Sequence, residues 1–301
     1  MVTEVNVMQA LFTGALGDFI GSESFMTNDE KDSVNTILWA TRNREEIRAA
    51  VDLTYIFPNL KEEKILFDNF CDERPTRPWQ EGDRFINIHK KGDLNLMCGL
   101  NLSDAEMAAI SDHSLDATLE GIASGQRKFQ SSRFAARSVW PSIAYLKLPQ
   151  RYVAIHPWSD AEINGREFSE EDWISIIKFL DHIGCPGVIV NKSKRLAPRH
   201  SKLIDLTNTT SLKETWTIIA AAESCILCAS SLACFATKLF PKDRIWLKGG
   251  HEHMFSQWAT YFYHGPFIQP NDIIFRNLQI LDTYCYHGQA IMLDQGRATL
   301  L

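Results

Sequence analysis

Strand-like and helix-like segments alternate along this chain twice over, around a break near residue 148, and that rhythm constrains the fold more than any other feature. In the first half VNVMQALF (5–12), NTILWAT (35–41), KILFDNF (64–70) and RFINIHK (84–90) read as strands. The stretch after Asp18, NREEIRAAVDL (43–53) and SDAEMAAI (103–110) read as helices, and 111–145 as helix with irregular links. The second half restarts with a strand in PQRYVAIHPWSD (149–160). SEEDWISIIKFLDHIG (169–184) follows, a helix with a serine cap, an acidic first turn and a closing glycine. Strands at 186–192, 202–208, 223–230 and 243–249 then alternate with helices at 210–224 and 231–240. Such alternation predicts an α/β protein with parallel sheets covered by helices on both faces. Two halves predict two Rossmann-like domains, 1–148 and 149–301, facing an interdomain cleft, with ligands at the carboxyl ends of the strands. The tail 283–301 has no clear period; we expect it to return to the first domain.

Composition narrows the function. The 301 residues are 45% hydrophobic and 23% charged, enough to bury a sizeable core. A net charge of -6 argues against general nucleic-acid binding, and the basic stretch NKSKRLAPRH (191–200) is too short to reverse that. Seven irregularly spaced cysteines fit reduced thiols better than a disulfide framework. The N-terminus lacks a signal-peptide pattern and no run has the length of a membrane span. The expectation is a soluble cytoplasmic protein without a membrane span, peripheral membrane contact remaining open.

Three turns from strand to helix carry the candidate chemistry. In GALGDFIGSESF (14–25) Gly14 and Gly17 allow a sharp turn and close approach to the backbone, and Asp18 is either a helix-terminal acid or a general base. In IHPWSDAEINGREF (155–168) Ser159 and Arg166 have the chemistry to grip a phosphate, or form a solvated loop; Trp158 either stacks on a ligand or packs between domains. In CASSLACFATKLF (228–240) Ser230 and Ser231 open a helix, either as an ordinary cap or as a seat for a diphosphate; Lys238 reads as solvent-facing. Cys225 and Cys228, with Cys234 beyond, form a metal or redox site or, as the strand character of SCILCAS favours, scattered small hydrophobes. His251 and His253 form a lone H-x-H, a weak metal signal.

Together these turns resemble the family 9 glycosyltransferases, the heptosyltransferase group of GT-B fold. Gly17-Asp18 matches the family's Gly-Asp turn, IHPWS and Arg166-Glu167-Phe168 match its second-domain opening loosely, and LTNTTSLKETWTIIAAAESCILCASS (206–231) follows a later segment well. Ala229-Ser230-Ser231 stands where the family has Asp-Ser/Thr-Gly, and Cys234 where it has a histidine. Asn191 and Lys192 occupy the region of the family's ribose-binding acid, so ADP-heptose is not carried across. The resemblance implies an inverting transfer of a sugar from a nucleoside-diphosphate sugar to a hydroxyl of a glycan, lipid-linked or other acceptor. Asp18 would be the base, and Ser159, Arg166, Asn191, Ser230 and Ser231 would bind the donor. No cofactor is expected, and no metal, since the chain has no Asp-x-Asp. A nucleotide-sugar epimerase or hydrolase on the same scaffold, and a non-catalytic sugar-nucleotide binder, remain as alternatives.

Overall fold

The computed structural model describes residues 8–12, 14–23, 26–41, 43–65, 83–86, 103–112, 133, 141–159, 167–192, 195–228, 230–236, 244–248, 291–294 and 297–300. The chain divides into two compact units, Met1–Ala136 and Arg137–Leu301. Residues after 140 go with the second unit, where the exposed Tyr145 hydroxyl donates to Glu214 Oε1 at 2.7 Å.

The first unit is a five-stranded parallel sheet of β1 (Met8–Phe12), β2 (Val34–Trp39), β3 (Glu62–Ile65), β4 (Asp83–Ile86) and β5 (Ile110–Asp112), in the order β3-β2-β1-β4-β5. Helices α1 (Leu16–Glu23), α2 (Asn28–Ser33), α3 (Arg44–Ala50), α4 (Leu53–Ile56) and α5 (Asp104–Ala109) connect or cover it. Four aromatics knit β1, α1, β2 and the end of α4 together: Phe12 and Trp39 are register partners with ring centroids 5.5 Å apart, and Phe19 sits 5.0 Å from Phe12 and 6.4 Å from Phe57. Glu23, at the end of α1, makes a wholly buried ion pair of 2.7 Å with Lys31 of α2 and accepts the Arg133 backbone N–H at 2.7 Å.

The second unit repeats the plan. Its strands β6 (Val153–His156), β7 (Gly187–Ile189), β8 (Leu203–Asp205), β9 (Ser224–Cys228) and β10 (Ile245–Lys248) are parallel in the order β10-β9-β6-β7-β8. Counted within each unit, the two sheets have the same strand order. Helix α6 (Glu170–Ile183) packs Trp173, Ile176, Phe179 and Leu180 on the sheet face that carries Val153, Ile155, Ile189 and Ile226. Residues alternate faces along a strand, so Tyr152 lies on the other face. There its hydroxyl donates to the Ile218 carbonyl of α7 (Leu212–Ala221) at 2.7 Å. Trp216 of α7 stacks on Phe235 of α8 (Ser231–Ala236), with centroids 5.0 Å apart. A two-stranded antiparallel ribbon, β11 (Ile291–Asp294) with β12 (Arg297–Leu300), lies in the tail where no period was read.

Several expectations are revised. Helix α1 starts at Leu16 rather than after Asp18, because Ala15 already accepts the first helical bond, from Phe19 N–H at 3.1 Å. Ile110–Asp112, expected to be helical or irregular, is strand β5, set by its pairing with Asp83–Phe85. Strand β3 begins at Glu62, opposite Thr36. Helices α2 and α4 were not foreseen. The expectations for Arg166, Lys238, His251 and His253 lie outside the described residues.

Candidate functional site

In open parallel sheets a ligand sits beyond the carboxyl ends of the strands, where the strand order reverses. That switch falls between β1 and β4 in the first unit and between β6 and β9 in the second. The sequence-derived residues divide between these two edges.

In the first unit β1 runs into Gly14, whose φ of 106° is a conformation that side chains with a Cβ resist. The turn is tied to the exit of β2. Thr41 Oγ1 donates to the Gly14 carbonyl, Asn43 Nδ2 reaches it at 3.5 Å, and Ala40 N–H donates to Phe12 O at 2.9 Å. Gly17 and Asp18 follow as the second and third residues of α1. Thr41 and Asn43 were missed from the sequence; a Thr-x-Asn after a strand is too common a turn to single out.

In the second unit the exits of three adjoining strands are cross-tied. His156, buried at the end of β6, bonds through Nδ1 to the Val190 carbonyl at 3.0 Å. A carbonyl only accepts, so Nδ1 is the donor in this bond. Asn208, with φ of 61°, donates its backbone N–H to Asn191 O at 2.8 Å. Thr207 N–H donates to Asp205 Oδ1 at 2.9 Å, and Phe168 N–H closes the loop after β6 onto Pro157 O at 3.2 Å.

Within this braced backbone three buried side-chain atoms have no hydrogen-bond partner among the described residues: Asn191 Nδ2 after β7, Thr207 Oγ1 after β8 and Ser230 Oγ after β9. Each such atom costs about 1–3 kcal/mol if nothing satisfies it. Ser230 stands at the cap of α8, its carbonyl accepting from Cys234 N–H at 3.2 Å. At the caps of α2, α5, α6 and α7 the hydroxyls of Thr27, Ser103, Ser169 and Ser211 accept the N–H three residues on; the Ser230 hydroxyl does not. Ser159 is half-buried in the loop after β6, and Ser231 is the first residue of α8. Ser159, Asn191, Ser230 and Ser231 thus all follow the carboxyl ends of strands in this one sheet; His156 stands at the end of β6 and Thr207 follows β8. Thr207 was missed because the sequence pattern reads as a strand through 202–208, whereas β8 ends at Asp205.

Trp158 is not a stacking platform. It is 7% exposed and packs 6.2 Å from Trp173 in the core of the second unit. Cys225 and Cys228 point to opposite faces of β9, and with Cys185 and Cys234 they are buried. Burial raises the Cys225 thiol pKa and, with the nearby Glu223 carboxylate, that of Cys185. Among the described residues no three His, Cys, Asp or Glu side chains cluster as a metal site would require.

Two open parallel α/β sheets of like order in one chain are the architecture of the GT-B fold, shared by glycosyltransferases and sugar-nucleotide epimerases. Among solved structures, the glycosyl transferase family 9 protein from Veillonella parvula DSM 2008 superposes with a TM-score of 0.55 at 10% identity, over 94% of this chain and 97% of that one. The iron-containing dodecameric glycosyltransferase TibC from enterotoxigenic E. coli H10407 gives a TM-score of 0.47 at 15% identity, over 80% of this chain; the match spans 57% of TibC's length. The UDP-GlcNAc 2-epimerase from Methanocaldococcus jannaschii gives 0.48 at 9% identity, over 97% of this chain and 95% of that one. No protein-family model and no curated protein sequence matches the chain.

Proposed function

We propose that this protein is an inverting glycosyltransferase that moves a sugar from a nucleoside-diphosphate sugar to an acceptor hydroxyl. The observation that carries the reading is the row of orphaned polar atoms at Asn191, Thr207 and Ser230, on three strand exits at and beside the switch point of the second sheet. A donor rich in ribose hydroxyls and phosphate oxygens supplies partners to an amide donor and two hydroxyls at once.

Departure of the diphosphate places negative charge on its oxygens. In this reading the hydroxyls of Ser230 and Ser159, the amide of Asn191, the backbone amides at Ser230 and Ser231 and the guanidinium of Arg166 take up that charge, and no metal is needed. Asp18 takes the proton of the acceptor hydroxyl. Attack from the side opposite the leaving group inverts the anomeric centre, as in inverting glycoside hydrolysis.

The test combines a thermal-shift panel of nucleoside diphosphates and their sugars with product analysis. One nucleotide should raise the melting temperature. With its sugar form, product should appear only when acceptor is present. Asp18→Asn should abolish transfer and keep the thermal shift. Turnover without acceptor would identify an epimerase or hydrolase instead, and an unchanged Asp18→Asn rate would remove the base from the mechanism.

A further inference from the structure

Parallel neighbours need a crossover connection, ordinarily a helix. In the second unit α6, α7 and α8 serve three of the four; the chain between β7 and β8 has no helix among its described residues, 190–192 and 195–202. It lies beside α6: Arg195 pairs with Glu167, Lys202 Nζ lies 3.9 Å from Asp181, and Ala197 packs against the core that α6 covers. Between these anchors Leu196 projects outward, 85% exposed, well above Tyr145 at 60% and Ile174 at 54%. Residues 191–202 carry five Lys or Arg and no Asp or Glu, in a chain whose net charge is -6. Lys192 and Arg199 are exposed. The ion pair of Arg195 is exposed and of the weak, salt-screened kind.

From this arrangement we propose that the β7–β8 crossover docks the protein on an anionic lipid bilayer, independently of the donor reading. Lys192, Arg195, Arg199 and Lys202 meet the headgroups, and Leu196 enters the interface. Cations attract a negatively charged leaflet within a Debye length, and a projecting aliphatic side chain adds burial that a soluble polyanion cannot offer. A single-stranded nucleic acid would call for aromatic side chains to stack its bases, and 191–202 contains no Phe, Tyr or Trp.

Co-sedimentation of the full chain with phosphatidylcholine vesicles, with and without phosphatidylglycerol, tests this. Binding should require phosphatidylglycerol and be lost at high salt. Arg199→Gln should weaken it about fivefold. Leu196→Asp should remove it without moving the melting temperature, because that side chain touches solvent. Equal pelleting with pure phosphatidylcholine, no pelleting with phosphatidylglycerol, or wild-type pelleting by both variants overturns the proposal. So does binding of an RNA homopolymer that competes the protein off the vesicles while Leu196→Asp leaves it unchanged.

Discussion

Ser169 and Ser230 occupy the same station at the start of their helices and do different things there. The Ser169 hydroxyl accepts Asp172 N–H at 3.2 Å, and its own N–H donates to Asp172 Oδ2 at 2.7 Å, a complete capping box. The Ser230 hydroxyl is buried and has no hydrogen-bond partner among the described residues. Removing a working cap costs about 1 kcal/mol, whereas removing an unsatisfied buried hydroxyl is near neutral or stabilising. Urea denaturation should therefore show Ser169→Ala losing about 1 kcal/mol and Ser230→Ala losing next to nothing. Thr207→Val, which keeps the volume and drops the other orphaned hydroxyl, should behave like Ser230→Ala. Both should weaken nucleoside-diphosphate binding about tenfold, the worth of one well-made hydrogen bond to a charged group. If Ser230→Ala unfolds as readily as Ser169→Ala and binds nucleotide like the parent, that hydroxyl is a cap and nothing more.

At the scale of elements, Tyr152 joins β6 to α7. It is 3% exposed, and burial pushes its pKa up from 10.0 to about 12. A folded-state pKa above the unfolded one contributes stability that is fully present below pH 10 and lost as the pH rises towards 12. Two pKa units correspond to about 2–3 kcal/mol. Tyr152→Phe should cost about 1 kcal/mol near neutrality through the lost bond to Ile218 O. It should also flatten the alkaline limb of a stability–pH curve between pH 10 and 12; a limb as steep as the parent's would assign the alkaline loss to another group. Helix α6 was legible because its signals are local: the serine cap, three acids in the first turn, and Gly184 closing it at φ 63°. Strand β5 was not, because AEMAAISD carries helical propensity and only the ladder to β4 makes Ile110–Asp112 extended. Helix α2 had a readable signal in the Thr27–Glu30 capping box, hidden by its brevity. For the candidate site, the turns were legible because glycine and serine at strand exits have few other uses. The orphaned state of Asn191 and Thr207 was not, since it depends on the neighbours that fail to reach them.

Across the whole molecule the repetition of one strand order in both units assigns each a switch-point edge of its own. The two edges differ in kind. The first is closed by bonds onto Gly14, with Thr41 and Asn43 both spent on its carbonyl. The second holds its unpartnered atoms at Asn191, Thr207 and Ser230. On the proposed function the donor goes to the edge with unmet hydrogen bonds, so hydrogen exchange with a nucleoside diphosphate alone should slow amides around 190–192, 206–209 and 230–234 and leave 14–19 unchanged. At a hundred times the dissociation constant the slowing should approach about a hundredfold where exchange needs the bound region to open. Adding the acceptor should then slow 14–19 in turn. Protection of 14–19 by nucleotide alone, with none in the second unit, would reverse the division of labour between the two sheets. It would also leave the three orphaned atoms as a cost the fold carries without return.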